Sequence, residues 1–313
     1  MSSDLEPANN PRLTIGIPIR NGEQSIVRPL ESALAQTEPD IEVVISDNAS
    51  TDATQEVCRA YAEQDGRIRY QRLPENIGLF ANFRNAFLLG SAPYFRWLGA
   101  DDWLEPEYGR RSIEILDANP DGVLVTTGSR LVREDGSAVL GGLRAGPDAD
   151  GRIERFRQLL DLFALDYRAI DPIYSAMRRS VLAGQPSVLV DSRYASRAGI
   201  DTDQALSAAL ALAGPWLHLP EALAGRQHPT FDPLRVLARR FDIPERMVYG
   251  RQLRLCRSIN IVLAEQELTV AQRRQARQAL ARFYLRRRAQ IVGRVARRVR
   301  KLAARGTPRS QPN

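Results

Sequence analysis

The chain has 313 residues, of which 43% are apolar and 26% charged, ordinary figures for a globular protein with one large core or two smaller ones. Its two cysteines, Cys58 and Cys256, stand alone; they exclude a disulfide framework and a CxxC metal knuckle, and favour a reducing compartment. The net charge of +7 conceals a division, since residues 268–313 carry 14 basic and no acidic side chains, leaving the first 267 residues with 30 basic against all 37 acidic ones, a balance of −7. The pI of about 9.8 therefore belongs to the tail and not to the body.

The N-terminal stretch, residues 1–11, contains Asp4 and Glu6 and no apolar run, so no signal peptide is expected and a disordered tail is. Leu13–Ile19 is a short β-branched run suited to a buried strand, closed by the turn Arg20-Asn21-Gly22. Ile26, Leu30, Ala33 and Leu34 recur at helical spacing. Ile41–Ile45 reads as a second strand, ending in Ser46-Asp47-Asn48-Ala49-Ser50-Thr51-Asp52, before a helix with Val57, Tyr61 and Ala62 on one face. Ile68–Arg72 is the third predicted strand, Asn82–Leu89 a helix, and Tyr94–Leu98 the fourth strand, which runs into Gly99-Ala-Asp-Asp-Trp103. Strands alternating with helices at these spacings predict βαβ units and a mainly parallel sheet.

Further along, residues 110–118 read as a helix stopped by Asn119-Pro120. Val123–Thr127 and Ser129–Arg133 are a strand pair or one continued strand, and 140–151 is a loop. Ile153–Leu165 is amphipathic, Ile170–Met177 is a candidate strand, and Gln204–Ala213 is a helix preceded by Asp201 and Asp203. Leu217–Leu219 and Ala222–Gly225 lead into Arg226-Gln-His228, and a domain boundary falls near 230. Beyond Pro233 the pattern is helical. The longest uncharged run, Gln204–Pro220, has 17 residues and is broken by Gly214-Pro215, too short for a membrane span.

Asp101-Asp102 follows a strand and precedes Trp103. Adjacent carboxylates repel unless a cation or a set of donors lies between them, and hard dications such as Mg²⁺ or Mn²⁺ take oxygen ligands of this kind together with substrate phosphates. A solvated turn that caps the following helix is the alternative.

Taken together, Ile17–Glu23, Val44–Asp52, Glu75–Gly78 with Asn85, and Trp97–Trp103 resemble the N-terminal signature of glycosyltransferase family 2. The resemblance is strong over residues 12–110 and looser over 110–230. It implies a GT-A fold, an α/β architecture in which helices flank a mixed, mainly parallel sheet, here followed by a C-terminal α-helical extension. The catalytic domain would span 12–230, with a nucleotide-binding half at 12–110 and an acceptor half at 111–230. A helical region (231–305) and a disordered tail (306–313) would follow. The implied activity is that of an inverting glycosyltransferase of the hexosyltransferase type, with a nucleotide-diphosphate sugar as donor and a divalent metal as cofactor.

Carried over by position, Pro18, Asn21 and Glu23 would line the base and ribose pocket, and Asp47 would accept a hydrogen bond from base or ribose. Asn76, Gly78, Arg84 and Asn85 would border the nucleotide and its phosphates. Asp101 and Asp102 would hold the metal and the ribose or diphosphate, and His228 could approach the metal. Many relatives carry an Asp two positions before Asp101; here that residue is Gly99. The catalytic base would be Asp203, with Asp201 the runner-up, although Thr202 stands where relatives have Glu.

Leu280, Phe283, Tyr284, Ile291, Val295, Val299 and Leu302 form an apolar stripe on an Arg-rich helix, suited to an anionic membrane surface through 280–305 or to packing on the body. A glycan or lipid-linked acceptor is implied, at a cytoplasmic site that is peripheral to the inner face of the membrane. Nucleic acid is an unlikely partner, because few aromatics interleave the charges. Abundant Arg beside the single Lys301 is associated with GC-rich coding sequences, and by analogy with a bacterial cell-envelope or polysaccharide pathway. The rival expectation is a catalytically silent scaffold of the same fold that binds a membrane or protein partner through its basic helix.

Overall fold

A computed structural model describes residues 10–133, 137, 146–165, 172–185, 202–227 and 251–305. Its centre is an eight-stranded sheet in the order β3-β2-β1-β4-β7-β6-β8-β5. The strands are β1 (Leu13–Ile19), β2 (Ile41–Asp47), β3 (Ile68–Arg72), β4 (Tyr94–Trp97), β5 (Asp102–Leu104), β6 (Leu124–Val132), β7 (Ala176–Arg178) and β8 (Trp216–Gln227). The first four run parallel, β7 is antiparallel to both β4 and β6, β8 is parallel to β6, and β5 closes the edge antiparallel to β8. Every residue of β1 and β2 is buried, as expected for central strands covered on both faces.

The helices are α1 (Val27–Leu34), α2 (Thr54–Gln64), α3 (Leu79–Leu89), α4 (Tyr108–Ala118), α5 (Arg152–Leu165), α6 (Arg179–Ala183), α7 (Thr202–Ala213), α8 (Arg251–Glu265) and α9 (Val270–Arg305). Alternate residues of one strand face opposite sides. Thus Phe95 and Trp97 join a core with α3, α5, α7, α8 and α9, whereas Tyr94 belongs to a second core with α1, α2 and α4.

Of the two readings of 123–133, one continued strand is what forms, and the run leading into Arg226 is also a strand. Residues 124–132 continue through an irregularity at Gly128, and 216–227 form one long strand. The candidate strand at 170–177 is a 3-10 turn at Pro172–Tyr174 followed by the short β7. β5 lies just beyond the fourth predicted strand, where no further strand was expected. The boundary near 230 and the loop residues 140–145 lie outside the described residues. Leu280 and Phe283, two members of the apolar stripe, are buried against the body together with Ala276 and Ala279, so this part of the stripe is core and not a lipid-facing surface. No described helix is long and apolar enough to cross a membrane.

The turn between α2 and β3 is pinned by Asp65, which takes hydrogen bonds from the Arg67 Nε at 3.0 Å and Nη2 at 2.8 Å. The Arg67 hydrogen bonds hold the Asp65 carboxyl below the usual carboxylate range, against the effect of partial burial. A depressed carboxylate contributes stability above its unfolded pKa of about 3.9 and loses that contribution as pH falls through the folded value. Asp65→Asn should therefore lower the melting temperature at pH 7 and leave it unchanged near pH 2, as thermal melts across that range would record.

Candidate active site

The chain passes from β1 outward to β2 and β3, then returns to β4 on the other side of β1. This reversal is a topological switch point, and ligands of open α/β sheets bind outside the carboxyl ends of the strands there. The crevice has a local cause. β1 pairs with β4 only from Leu13 to Gly16, while its pairing with β2 runs on to Ile19. After the amide of Leu98 donates to the Gly16 carbonyl at 2.9 Å, the two strands part. Pro18 lies in the free stretch, where its missing N–H removes no ladder bond to β4.

Hydrogen bonds draw the motif loops together on one side of this crevice. Asn21, with a positive φ of 51°, accepts from the Thr51 amide at 2.8 Å, and its own amide donates to Ser50 Oγ at 2.9 Å. Glu23 Oε2 accepts from the Ala53 amide at 2.9 Å, beside the start of α2. Asp52 takes the Glu23 amide at 3.2 Å; slight burial acts to raise its pKa, but the Thr54 hydroxyl and the Glu23 and Thr54 amides outweigh it and hold the pKa down.

Asn48 donates to Asn76 Oδ1 at 2.8 Å and accepts from the Ile77 amide at 2.8 Å, fixing the segment that enters α3 after Gly78. Asn85 donates to Ser46 Oγ at 2.8 Å, and the buried Asn82 ties Ser46 to the end of β1 by donating to the Ile19 carbonyl at 3.3 Å. Arg84 is half-buried on α3.

Asp47 is fully buried. Its Oδ1 accepts from the Ser50 amide at 2.9 Å and its Oδ2 from the Tyr70 hydroxyl at 2.7 Å, with Arg72 Nε at 3.7 Å. Burial and the bond to Asp47 both push the Tyr70 pKa up. So satisfied, the Asp47 carboxylate shapes the loop from beneath, and a nucleobase would reach it only by displacing one of these donors. Ser46, Asn48, Asn82 and Tyr70, none of them among the expected site residues, carry much of this architecture. Only Ser46 and Asn48 carried a signal, as polar residues beside Asp47 at the end of an apolar strand; Asn82 on α3 and Tyr70 within β3 carried none.

Across the crevice, Asp101 is exposed, whereas Asp102 opens β5 and is 5% exposed. Asp102 lies opposite Arg226 in the β5–β8 pairing, and their Oδ2 and Nε are 3.4 Å apart. The Arg226 guanidinium also lies 4.4 Å from the centre of the Tyr174 ring. On β4, Arg96 is wholly buried; its Nε donates to the Trp97 carbonyl at 3.1 Å and its guanidinium stacks 4.2 Å from the Tyr108 ring centre. A charged residue inside an apolar strand was the sequence signal for Arg96. Gly99 leaves room for the acidic pair, since a Cβ there would meet Asp102 Oδ2 at 2.8 Å and Asp101 Oδ1 at 3.5 Å.

Asp203 sits in the first turn of α7, half-buried, with Oδ1 accepting from the Gln204 amide at 2.8 Å. Asp201 and His228 lie outside the described residues. No group of three or more His, Cys, Asp or Glu suited to a metal occurs among the described residues. The exposed Asp101 carboxylate, with substrate phosphate oxygens and water, nevertheless fits the open coordination shell that Mg²⁺ or Mn²⁺ accepts.

A sequence profile described as glycosyl transferase family 2 matches residues 14–182, more than half of the chain. The chain belongs to glycosyl transferase family 2. Among curated family relatives it is 35% identical over 97 residues to Glycosyltransferase GlyA of Streptococcus pneumoniae, covering 31% of this chain and 14% of that protein. It is 31% identical over 132 residues to the chondroitin synthase of Escherichia coli, covering 42% of this chain and 19% of that one. The chain thus matches only a small part of the length of these relatives. The crystal structure of S. aureus TarS 1-349 in complex with UDP-GlcNAc superposes with a TM-score of 0.62 at 17% identity, over 88% of this chain and 72% of that one. The mannosyltransferase PcManGT from Pyrobaculum calidifontis, in complex with GDP-Man and Mn²⁺, gives 0.50 at 15% identity, over 91% of this chain and 88% of that one. These structural neighbours share the mixed α/β fold of the GT-A type.

Proposed function

We propose that this family 2 chain is an inverting glycosyltransferase that moves a sugar from a nucleotide-diphosphate donor to an acceptor hydroxyl. The observation that carries the reading is the convergence of all four motif segments on the switch point between β1 and β4. Relatives solved with UDP-GlcNAc or with GDP-Man and Mn²⁺, and a chondroitin synthase among the curated matches, support it.

In this reading Pro18, Asn21 and Glu23 border the base and ribose above the buried Asp47, and Asn76, Gly78, Arg84 and Asn85 flank the phosphates. The segment Asp101-Asp102 lies at the metal end of the site, with His228 a further candidate there. A bound dication would offset the charge that grows on the leaving diphosphate. Asp203, with Asp201 as the alternative, takes the proton from the acceptor hydroxyl. The acceptor oxygen then bonds to the anomeric carbon as the bond from that carbon to the diphosphate oxygen breaks. One displacement inverts the anomeric configuration and needs no covalent intermediate.

The acceptor class is a glycan or a lipid-linked sugar. The sequence of 291–305, basic and without an acidic residue, is the segment suited to an anionic membrane surface, and it favours a peripheral site on the inner face.

Calorimetric titration with UDP, GDP and TDP, with and without Mn²⁺, tests the reading. One nucleotide should bind, and bind more tightly with the metal. A folded protein that binds none of the three would instead favour a silent scaffold.

A further inference from the structure

The acidic pair is not symmetrical. Asp101 faces solvent, whereas the Asp102 side chain is 7% exposed and meets Arg226 across the β5–β8 pair. Asp102 also has a second cation to balance. Arg96 is wholly buried, and its Nη1 finds no hydrogen-bond partner among the described residues. Burial pushes the Arg96 pKa down, with Tyr108 and Asp102 opposing that shift and Arg226 reinforcing it. A dication drawn onto Asp102 would sit against Arg226 and take from Arg96 the carboxylate that offsets its charge. Leaving a buried cation uncompensated is costly.

Gly99 belongs to the same arrangement. The Asp102 carboxylate leans over it, 2.8 Å from where a Cβ would be, so an Asp at 99 would have to push Asp102 aside. The absent carboxylate at 99 and the inward turn of Asp102 are two aspects of one geometry. Trp103, the next residue, is held in the same way, with Arg28 3.4 Å from its ring centre and Gly225 leaving space for it on β8.

We infer that Asp102 is a positioning residue that fixes Arg226 at the mouth of the site, and that Asp101 alone of the pair engages the dication. The assignment rests on the nucleotide-sugar reading above and divides roles within it. Arg226, 31% exposed and fixed between Asp102 and Tyr174, then presents a guanidinium to a donor anion without needing to be ordered on binding.

The test is Mn²⁺ binding in the presence of UDP and of GDP, followed by calorimetry and by the paramagnetic resonance signal of free Mn²⁺. Wild type, Asp101→Asn, Asp102→Asn, Arg226→Gln, Arg226→Lys and the double variant Asp102→Asn/Arg226→Gln are compared, with circular dichroism as the check on folding. Asp101→Asn, at an exposed position, should lose the metal-dependent gain in nucleotide binding. Asp102→Asn and Arg226→Gln should keep that gain while weakening nucleotide binding, with and without Mn²⁺, by about tenfold. The double variant should be no worse than the poorer single one, and Arg226→Lys should recover part of the loss.

A folded Asp102→Asn protein without the metal-dependent gain would overturn the assignment. So would an Asp101→Asn protein that retains it, an outcome that does not depend on Asp102 variants folding. If wild type itself shows nucleotide binding but no metal-dependent gain, both the metal reading and this assignment fall. If the gain is present in wild type, the nucleotide reading stands and only the division between the two aspartates is at issue.

Discussion

Replacing Asp203 by asparagine should lower kcat for sugar transfer by about 10³, within the range for loss of a general base, and leave the donor KM nearly unchanged. The amide keeps the shape and hydrogen-bonding reach of the carboxylate but cannot take a proton from the acceptor. Asp203 stands in the first turn of α7, where the helix N-terminus favours a negative charge. The measurement is steady-state transfer under saturating donor and acceptor, with nucleotide binding measured separately to show that the donor site is intact. If Asp203→Asn leaves kcat unchanged while Asp201→Asn abolishes it, the base lies two residues earlier and Asp203 serves the helix.

Trp97→Ala should cost about 3–5 kcal/mol of stability and lower Tm by roughly 10 °C. Trp97 is 1% exposed. Its ring meets Phe95 edge-on at 4.9 Å and lies 5.9 Å from Phe83, and its Nε1 donates to the Phe83 carbonyl at 2.8 Å. Truncation opens a cavity among aromatic rings and removes the indole hydrogen bond to the Phe83 carbonyl. The damage should extend to the site, because Trp97 ends β4 immediately before Leu98-Gly99. Denaturant unfolding measures the first effect, and nucleotide affinity at a temperature where the variant is still folded measures the second.

The first hundred residues were legible because their signals are local. β1 and β2 are apolar runs with polar turns at their ends, and the helices between them show a 3.6-residue stripe. β5 was not legible. Asp102–Leu104 is three residues long, and it is a strand only because Arg226, Gly225 and Ala224 of β8 lie opposite it. Its partner is more than a hundred residues away, so nothing in the local sequence could announce it. The same holds for Asp102 itself. Two adjacent aspartates look equivalent in sequence, and it is the guanidiniums of Arg96 and Arg226 that divide them. For the stripe on α9, periodicity says only that a face is apolar and not what covers it. Leu280 and Phe283 turned out to be covered by the body.

The sharing of one core between β4 and the C-terminal helices bears on how the chain is made. Phe95 and Trp97 are in place early in synthesis, yet Leu255, Ile259, Ala276 and Phe283, which help to complete that core, emerge some 160 residues or more later. At the usual pace of translation, about 5–20 residues per second, that face of the sheet waits on the order of ten seconds or longer for its cover. A nascent chain in that interval exposes aromatic surface at the strand that leads into the candidate active site, which makes it a natural client for chaperones that hold apolar segments.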